Sequence, residues 1–145
     1  MFDEALAFAM DRHADQKRWG GGPYIDHPQR VSDKFSDDIR KTVAILHDVV
    51  EDEKATLQEI KDLFGLQVST AVDAISRRSG ESYHDFILRV EKNQIARDVK
   101  IADIEDNMED VSATDLKQIE KAKNLKTKRY VPALLFLKGK NVQGR

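Results

Sequence analysis

The chain has 145 residues, 40% of them hydrophobic and 34% charged. Those proportions suit one globular domain with a real core and exclude a disordered chain. There is no cysteine, which excludes disulfides, thiolate catalysis and Cys-based zinc sites. The net charge of −2 hides a split: Lys117–Arg145 holds nine Lys/Arg and one Glu, hence +8, and leaves −10 for Met1–Leu116. An acidic body suits a cation, and the basic end either solvates a helix face or helps to hold an anion. No apolar stretch reaches membrane-spanning length, and Met1–Arg12 carries Asp3 and Glu4 instead of a signal-peptide pattern. A cytoplasmic protein with no membrane and no nucleic-acid partner is expected, and the pattern specifies no oligomeric state.

In chain order, Phe2–Asp15 reads as an amphipathic helix with Leu6, Ala9, Met10 and His13 at three-to-four spacing, so His13 should point inward. Gln16–Gly22 is a loop ending in three glycines, without a phosphate-loop frame. Pro28 biases His27 toward extended geometry and can open a helix over Pro28–Phe35, with Val31 and Phe35 inward. Asp37 or Asp38 can cap a central helix, Ile39–Glu51. Thr56-Leu-Gln-Glu59 matches a capping box, followed by Ile60, Leu63 and Phe64 as the apolar face and Gly65 as the stop. Val68–Arg78 is the next helix, Ser79–Glu81 a turn, and Ser82 caps a helix that buries Phe86, Ile87 and Val90. Asn93–Met108 reads as a long helix holding Asp103. Leu116–Leu137 is basic and helical, interrupted near Pro132, and Gly139–Arg145 should fray. No alternating strand and no internal repeat is found. The expected fold is all-α, with six to eight helices in one domain over residues 1–138.

The chemistry concentrates in Val43–Asp52, where an apolar run leads into His47-Asp48-Val-Val-Glu51-Asp52. On this helix, i,i+4 spacing sets His47, Asp48, Glu51 and Asp52 near one flank. Burying such a set costs stability unless a cation compensates. Taken alone, His47-Asp48 is better explained as a core-edge histidine beside a solvated acidic pair. What changes that balance is company: His27 lies before it, and Asp103 ends a second apolar run after it. His27, His47, Asp48 and Asp103 form a mixed nitrogen and oxygen donor set that suits Mn²⁺, Fe²⁺, Co²⁺ or Zn²⁺ rather than Ca²⁺. Such an ion acidifies a bound water and polarises a phosphoryl oxygen, and Glu51 and Asp52 are placed to accept a proton or hold the water in line.

Gly22-Pro-Tyr24-Ile-Asp-His27-Pro28, Leu46-His47-Asp48-Val-Val-Glu51-Asp52 and Val99-Lys-Ile-Ala-Asp103, with His13…Gln16, Phe64-Gly65 and Asn107-Met108, resemble the HD-domain hydrolases of the RelA/SpoT type. The pattern is most similar to the small stand-alone alarmone hydrolases, and it runs from about Leu6 to Tyr130. The resemblance implies an HD-type helical bundle around one buried Mn²⁺, held by His27, His47, Asp48 and Asp103, with Glu51 and Asp52 as the catalytic pair. It implies a small-molecule nucleotide substrate, (p)ppGpp, losing pyrophosphate from the ribose 3′ position. By position, Arg18 matches a residue that packs on the purine, and Tyr24, Arg77, Asn107, Lys126 and Tyr130 fall near the nucleotide pocket. An Arg plane and aromatic rings are apt for stacking on a base. Rival readings are a 5′-nucleotidase of another HD branch, a 2′-phosphatase on another nucleotide, and a nucleotide-binding module without turnover. No synthetase domain follows, so a bifunctional enzyme is not expected.

The chain departs from the family after Asp103, where Ile104-Glu105-Asp106-Asn107 replaces Arg-Leu-His-Asn, and at Glu53, which stands in place of a Thr. Two carboxylates thus fall near an anion site. Helix geometry is expected to turn Glu105 and Asp106 toward solvent.

Overall fold

The structure is a computed structural model, and it describes residues 1–17, 22–109 and 116–143. Among these residues there are nine α-helices and one π-helical segment, and no strand beyond a single bridge between Lys17 and Pro23. The helices are α1 (Phe2–Arg12), α2 (Asp26–Asp33), α3 (Asp38–Leu46), α4 (Leu57–Phe64), α5 (Leu66–Ala74), α6 (Tyr83–Glu91), α7 (Gln94–Glu109), α8 (Leu116–Leu125) and α9 (Val131–Gln143), with the π segment Lys126–Tyr130 joining the last two. The all-α class expected from the pattern is the class found. No helix among the described residues is long and apolar enough to cross a membrane.

Local chemistry sets most of the boundaries. The Asp37 carboxylate accepts from the Arg40 N–H at 3.0 Å and starts α3. Thr56 and Glu59 form a reciprocal capping box at α4. Ser82 caps α6 by accepting from the Asp85 N–H. Gly65 joins α4 to α5 with φ of 93°, a left-handed conformation that a side chain would strain. In the basic C-terminal segment the break from α-helix falls at Lys126–Tyr130, ahead of Pro132. Helical geometry runs past Gly139 to Gln143, where fraying is expected from the sequence.

The core is centred on α3. Thr42, Val43, Ala44, Ile45 and Leu46 are consecutive and all buried, as befits a helix covered on every side. It packs against α1, α2, α5 and α7. Ala5 and Ala9 of α1, Val31 of α2, Val68 and Val72 of α5, Phe86 and Val90 of α6, and Ala96, Val99 and Ile104 of α7 complete the core. Two residues assigned to apolar faces stay outside: Met10 is 52% exposed and Leu63 60%. In each helix neighbouring positions, Ala9 and Ile60 among them, already fill the contact with the core.

One boundary differs in a way that matters for chemistry. The central helix ends at Leu46, not at Glu51. His47 takes over the Ala44 carbonyl with its own ring, Nδ1 lying 2.6 Å from that oxygen. The next amides bond three residues back, Val49 to Leu46, and the turn closes with Lys54 and Ala55 both donating to the Val49 carbonyl. Glu53 there has φ of 60°, the one non-glycine residue with positive φ among the described residues. His47–Glu53 is therefore a tight turn, and its four functional side chains diverge instead of sharing one flank.

Ile45 is fully buried in the helix that carries His47. Ile45→Ala should lower unfolding free energy by about 2–5 kcal/mol in urea titrations. Leu63→Ala, at an exposed position, should stay within about 0.5 kcal/mol of wild type.

Candidate metal centre

Three elements meet at one point. α2 presents His27, the C-terminus of α3 presents His47, and α7 presents Asp103, all buried. One ligand atom from each lies within 4.8 Å of the other two. Asp103 Oδ1 lies 2.7 Å from His27 Nε2 and 3.1 Å from His47 Nε2. Asp48 extends the cluster, with Oδ2 at 3.1 Å from His47 Nε2, and it also accepts a hydrogen bond from the Tyr24 hydroxyl.

The outer ring nitrogens decide which protons these histidines carry. His47 Nδ1 faces the Ala44 carbonyl, which can only accept, so Nδ1 must donate. His27 Nδ1 faces the Asp106 carboxylate at 2.6 Å, and that carboxylate is also paired with Arg30 at 2.9 and 3.1 Å. Both neutral rings would then aim bare Nε2 lone pairs at the Asp103 oxygen. Such an arrangement needs positive charge at the centre. Without an ion, protons supply it. Burial opposes charge on His47, but Asp48 and Asp103 outweigh it and raise its pKa well above the usual value. Burial likewise opposes charge on His27, and hydrogen bonds to Asp103 and Asp106 raise it. Asp103 is held well below the carboxylate range, burial notwithstanding, by Lys100 and His47. Two imidazoles with their inner nitrogens converging on a carboxylate are a donor set that fits a divalent cation, whose uptake would release the inner protons.

Around this point lies a cavity of about 230 Å³ lined by Tyr24, His27, Asp48, Glu51, Arg77, Tyr83, Phe86, Lys100, Asp103, Asn107, Leu125, Arg129 and Tyr130. Glu51 stands at its rim and accepts from the Arg77 N–H at 2.6 Å. Desolvation raises the Glu51 pKa against the pull of that N–H. Asp52 turns the other way. Its Oδ2 accepts from Gln16 Nε2 at 2.8 Å, and the Gln16 oxygen lies 2.7 Å from Nδ1 of His13, which is buried as expected. Burial and the Asp48 charge raise the Asp52 pKa. A carboxyl group raised in this way is better matched to proton transfer near neutrality than an ordinary one.

The HD-domain sequence profile matches residues 5–127. The chain belongs to the HD-domain family. Among curated relatives, a guanosine-3′,5′-bis(diphosphate) 3′-pyrophosphohydrolase of Aquifex aeolicus is 33% identical over 116 residues, covering 72% of this chain and 17% of the relative. A GTP pyrophosphokinase rsh of Brucella ovis is 37% identical over 81 residues, covering 53% of this chain and 11% of its own length. The chain thus spans less than a fifth of each of these two proteins. A solved structure, described as a metazoan ortholog of SpoT that hydrolyzes ppGpp and plays a role in starvation responses, superposes with a TM-score of 0.71 at 25% identity, covering 97% of this chain and 94% of that one.

Of the residues singled out from the sequence, this HD domain brings His27, His47, Asp48 and Asp103 together, with Glu51 alongside. Tyr24, Arg77, Asn107 and Tyr130 line the cavity; Lys126, on the π segment, is not among its lining residues. Arg18 lies outside the described residues. Glu105 and Asp106 part company. Glu105 is partly exposed and bonds Lys138 at 2.7 Å. Asp106 is 6% exposed and does not face solvent. It is three residues after Asp103, about 300° around the helix and so close to the same face. Lys100 is equally near, three residues before Asp103 and 2.9 Å from its Oδ2. Both could be found by applying i±3 spacing to Asp103. The Arg30 and Arg129 contacts depend on how separate helices pack, and no local spacing reveals them.

The turn that carries Arg77 is itself locked. Arg89 donates to both Glu81 oxygens at 2.9 Å and to the Ser76 carbonyl at 2.8 Å, while Arg77 Nε donates to the Glu81 carbonyl. The Arg89 bond holds the Glu81 pKa down to about 2. A depressed carboxylate contributes stability above its unfolded-state pKa and loses it as pH falls toward the folded value. The melting-temperature gap between wild type and Glu81→Gln should therefore be widest near pH 6–7 and narrow steadily as thermal melts are taken from pH 5 toward pH 2.

Proposed function

We propose that the chain is a metal-dependent pyrophosphohydrolase acting on (p)ppGpp, releasing pyrophosphate from the ribose 3′ position to leave GDP or GTP. The observation that carries this reading is the correspondence, over nearly the full length of both chains, with the solved structure of a metazoan SpoT ortholog described as hydrolyzing ppGpp. It is supported by the His/Asp cluster at the base of a cavity that also contains Glu51 and three cationic side chains.

His27, His47, Asp48 and Asp103 would hold the ion, which we take to be one Mn²⁺ per chain, with Fe²⁺, Co²⁺ or Zn²⁺ as substitutes. Bound there, a divalent ion lowers the pKa of water and polarises a phosphoryl oxygen. The remaining work falls to the protein. Glu51, fixed by the Arg77 N–H, accepts a proton from the attacking water, while Asp52, turned away from the cavity and fixed by Gln16, acts from behind Asp48 as the second carboxylate of the pair. Tyr24 donates to Asp48 and keeps that carboxylate turned to the cluster. Arg77, Lys100 and Arg129 line the cavity and offset the charge of the pyrophosphoryl group that the water attacks; the O3′–P bond breaks, and the ribose 3′ oxygen, as leaving group, takes up the proton that Glu51 has accepted. Tyr130 and Asn107 face the nucleoside, and Arg18 offers a flat cation for the purine.

Chelation should lower both activity and melting temperature, since an ion that binds only the folded state stabilises it. Calorimetric scans with and without chelator, followed by re-addition of each metal, check this, and Mn²⁺ is expected to restore the most activity. A sample that is folded but takes up no divalent ion would sink the metal reading.

Asp48→Ala should lose metal and turnover together. Glu51→Gln keeps the shape and most of the hydrogen bonding, so it should keep its metal and lose roughly 10²-fold or more in kcat, the scale of a general acid–base group. Pyrophosphate release is to be measured against ppGpp, pppGpp, NADPH and 5′-mononucleotides with Mn²⁺. Hydrolysis of 5′-mononucleotides alone would replace the alarmone assignment with that of another HD branch.

A further inference from the structure

The cluster's inner atoms are accounted for by the reading above; what stands behind His27 is not. His27 Nδ1 lies 2.6 Å from Asp106 Oδ2, and both residues are buried. Arg30 grips the same carboxylate with two nitrogens, Nε on Oδ1 at 2.9 Å and an outer guanidinium nitrogen on Oδ2 at 3.1 Å. Arg30 sits three residues after His27 on α2, while Asp106 sits three after Asp103 on α7. The ring of His27 is thus held between two carboxylates of one helix, Asp103 at its inner nitrogen and Asp106 at its outer one. His47 has a weaker arrangement, since its outer nitrogen meets only the neutral Ala44 carbonyl.

We infer that Asp106 is a positioning residue for the metal centre: its carboxylate, kept in place by Arg30, takes the Nδ1 proton of His27 in a hydrogen bond and so leaves the Nε2 lone pair free for a divalent ion. This rests on the proposed reading of the cluster as a metal site and adds a residue to it. Two physical consequences follow. A ring with its proton drawn toward a carboxylate is a more basic ligand than one bonded to a neutral carbonyl. The pair also fixes the rotation of the ring, because the Asp106 contact joins α2 to α7 at the point where each contributes a ligand. Asp106 then acts through His27, and neither water nor substrate need touch it. The carboxylate that sequence order sets against an anionic ligand thus helps to hold the cation that draws the ligand in.

The test is Co²⁺ titration, followed by visible absorption, of the full chain. Wild type is measured first. If it takes up neither Co²⁺ nor Mn²⁺ nor Zn²⁺, the cluster is not a metal site and the inference is overturned with it, before any variant is compared. With binding established, Asp106→Asn should weaken Co²⁺ binding about tenfold and Asp106→Ala up to about 100-fold, the usual range for loss of such a partner. The Asn oxygen can still accept from Nδ1 but brings no charge, which is why its loss is smaller. Arg30→Gln should lose less than either. Glu105→Gln is the control, removing the same charge one residue away where the contact is to Lys138, and it should bind as wild type. A role in structure alone would lower the melting temperature in chelator but leave Co²⁺ affinity and its spectrum unchanged. Affinity of both Asp106 variants within about threefold of wild type would overturn the inference, as would an equal loss in Glu105→Gln. Should a variant fail to fold, nitrogen-correlated NMR of wild type with Zn²⁺ decides the matter. His27 should show a slowly exchanging, low-field Nδ1 proton, and its absence counts against the inference.

Discussion

Two imidazole nitrogens aimed at one carboxylate oxygen, in the middle of an apolar core, are the constraint on which the rest of this molecule depends. His27 and His47 reach Asp103 from two different helices and meet it on a third. None of these contacts is tolerable in a low-dielectric interior unless the charges balance, and an unbalanced one would cost several kcal/mol. Lys100 contributes one positive charge from the same helix as Asp103. The remainder has to come from protons on the rings or from a divalent ion. The fold therefore holds α2, α3 and α7 at a separation that serves the cluster, and the apolar residues around α3 fix that separation.

The same constraint explains why the central helix stops at Leu46. A continued α-helix would hold His47, Asp48, Glu51 and Asp52 on one side, crowding three carboxylates. The tight turn separates them: Asp48 stays with the cluster, Glu51 moves to the cavity rim beside Arg77, and Asp52 faces Gln16. Each carboxylate acquires its own donor. Mutual repulsion falls, and the two that carry raised pKa values, Glu51 and Asp52, are those free of a full ion pair with a histidine.

Much of this could be read from the residues in order. The apolar runs before His47 and Asp103, the cap at Asp37, the capping box at Thr56 and the stop at Gly65 are local signals, and the helices follow them. The helix end at Leu46 was not legible, because it depends on a His47 side chain competing for a backbone carbonyl, a choice made by the surroundings of the ring. Exposure of Met10 and Leu63 was equally hidden, since a helical period says which residues share a face but not how wide the covered part is. At the site, the ligand candidates are legible because metal chemistry demands particular residue types. Arg129 and Arg30 are not, since an arginine carries no sign of which helix it will lie against.

Asp106 shows how a local reading and a spatial one give opposite signs to the same charge. As a residue near an anion site it looks unfavourable, and sequence order alone suggests that it should be turned away. Three positions along an α-helix bring it back almost onto the face of Asp103, where the nearest group is the outer nitrogen of His27 and the next is Arg30. Paired on both sides, its charge is spent within the protein and adds little repulsion in the cavity. Glu105, one residue earlier, lies on a different face and reaches Lys138 of α9. Both departures from the family pattern are thus neutralised by a basic partner from another helix. A change of motif that places carboxylates beside an anion site need not weaken it where the fold supplies a counter-charge beyond the reach of sequence spacing.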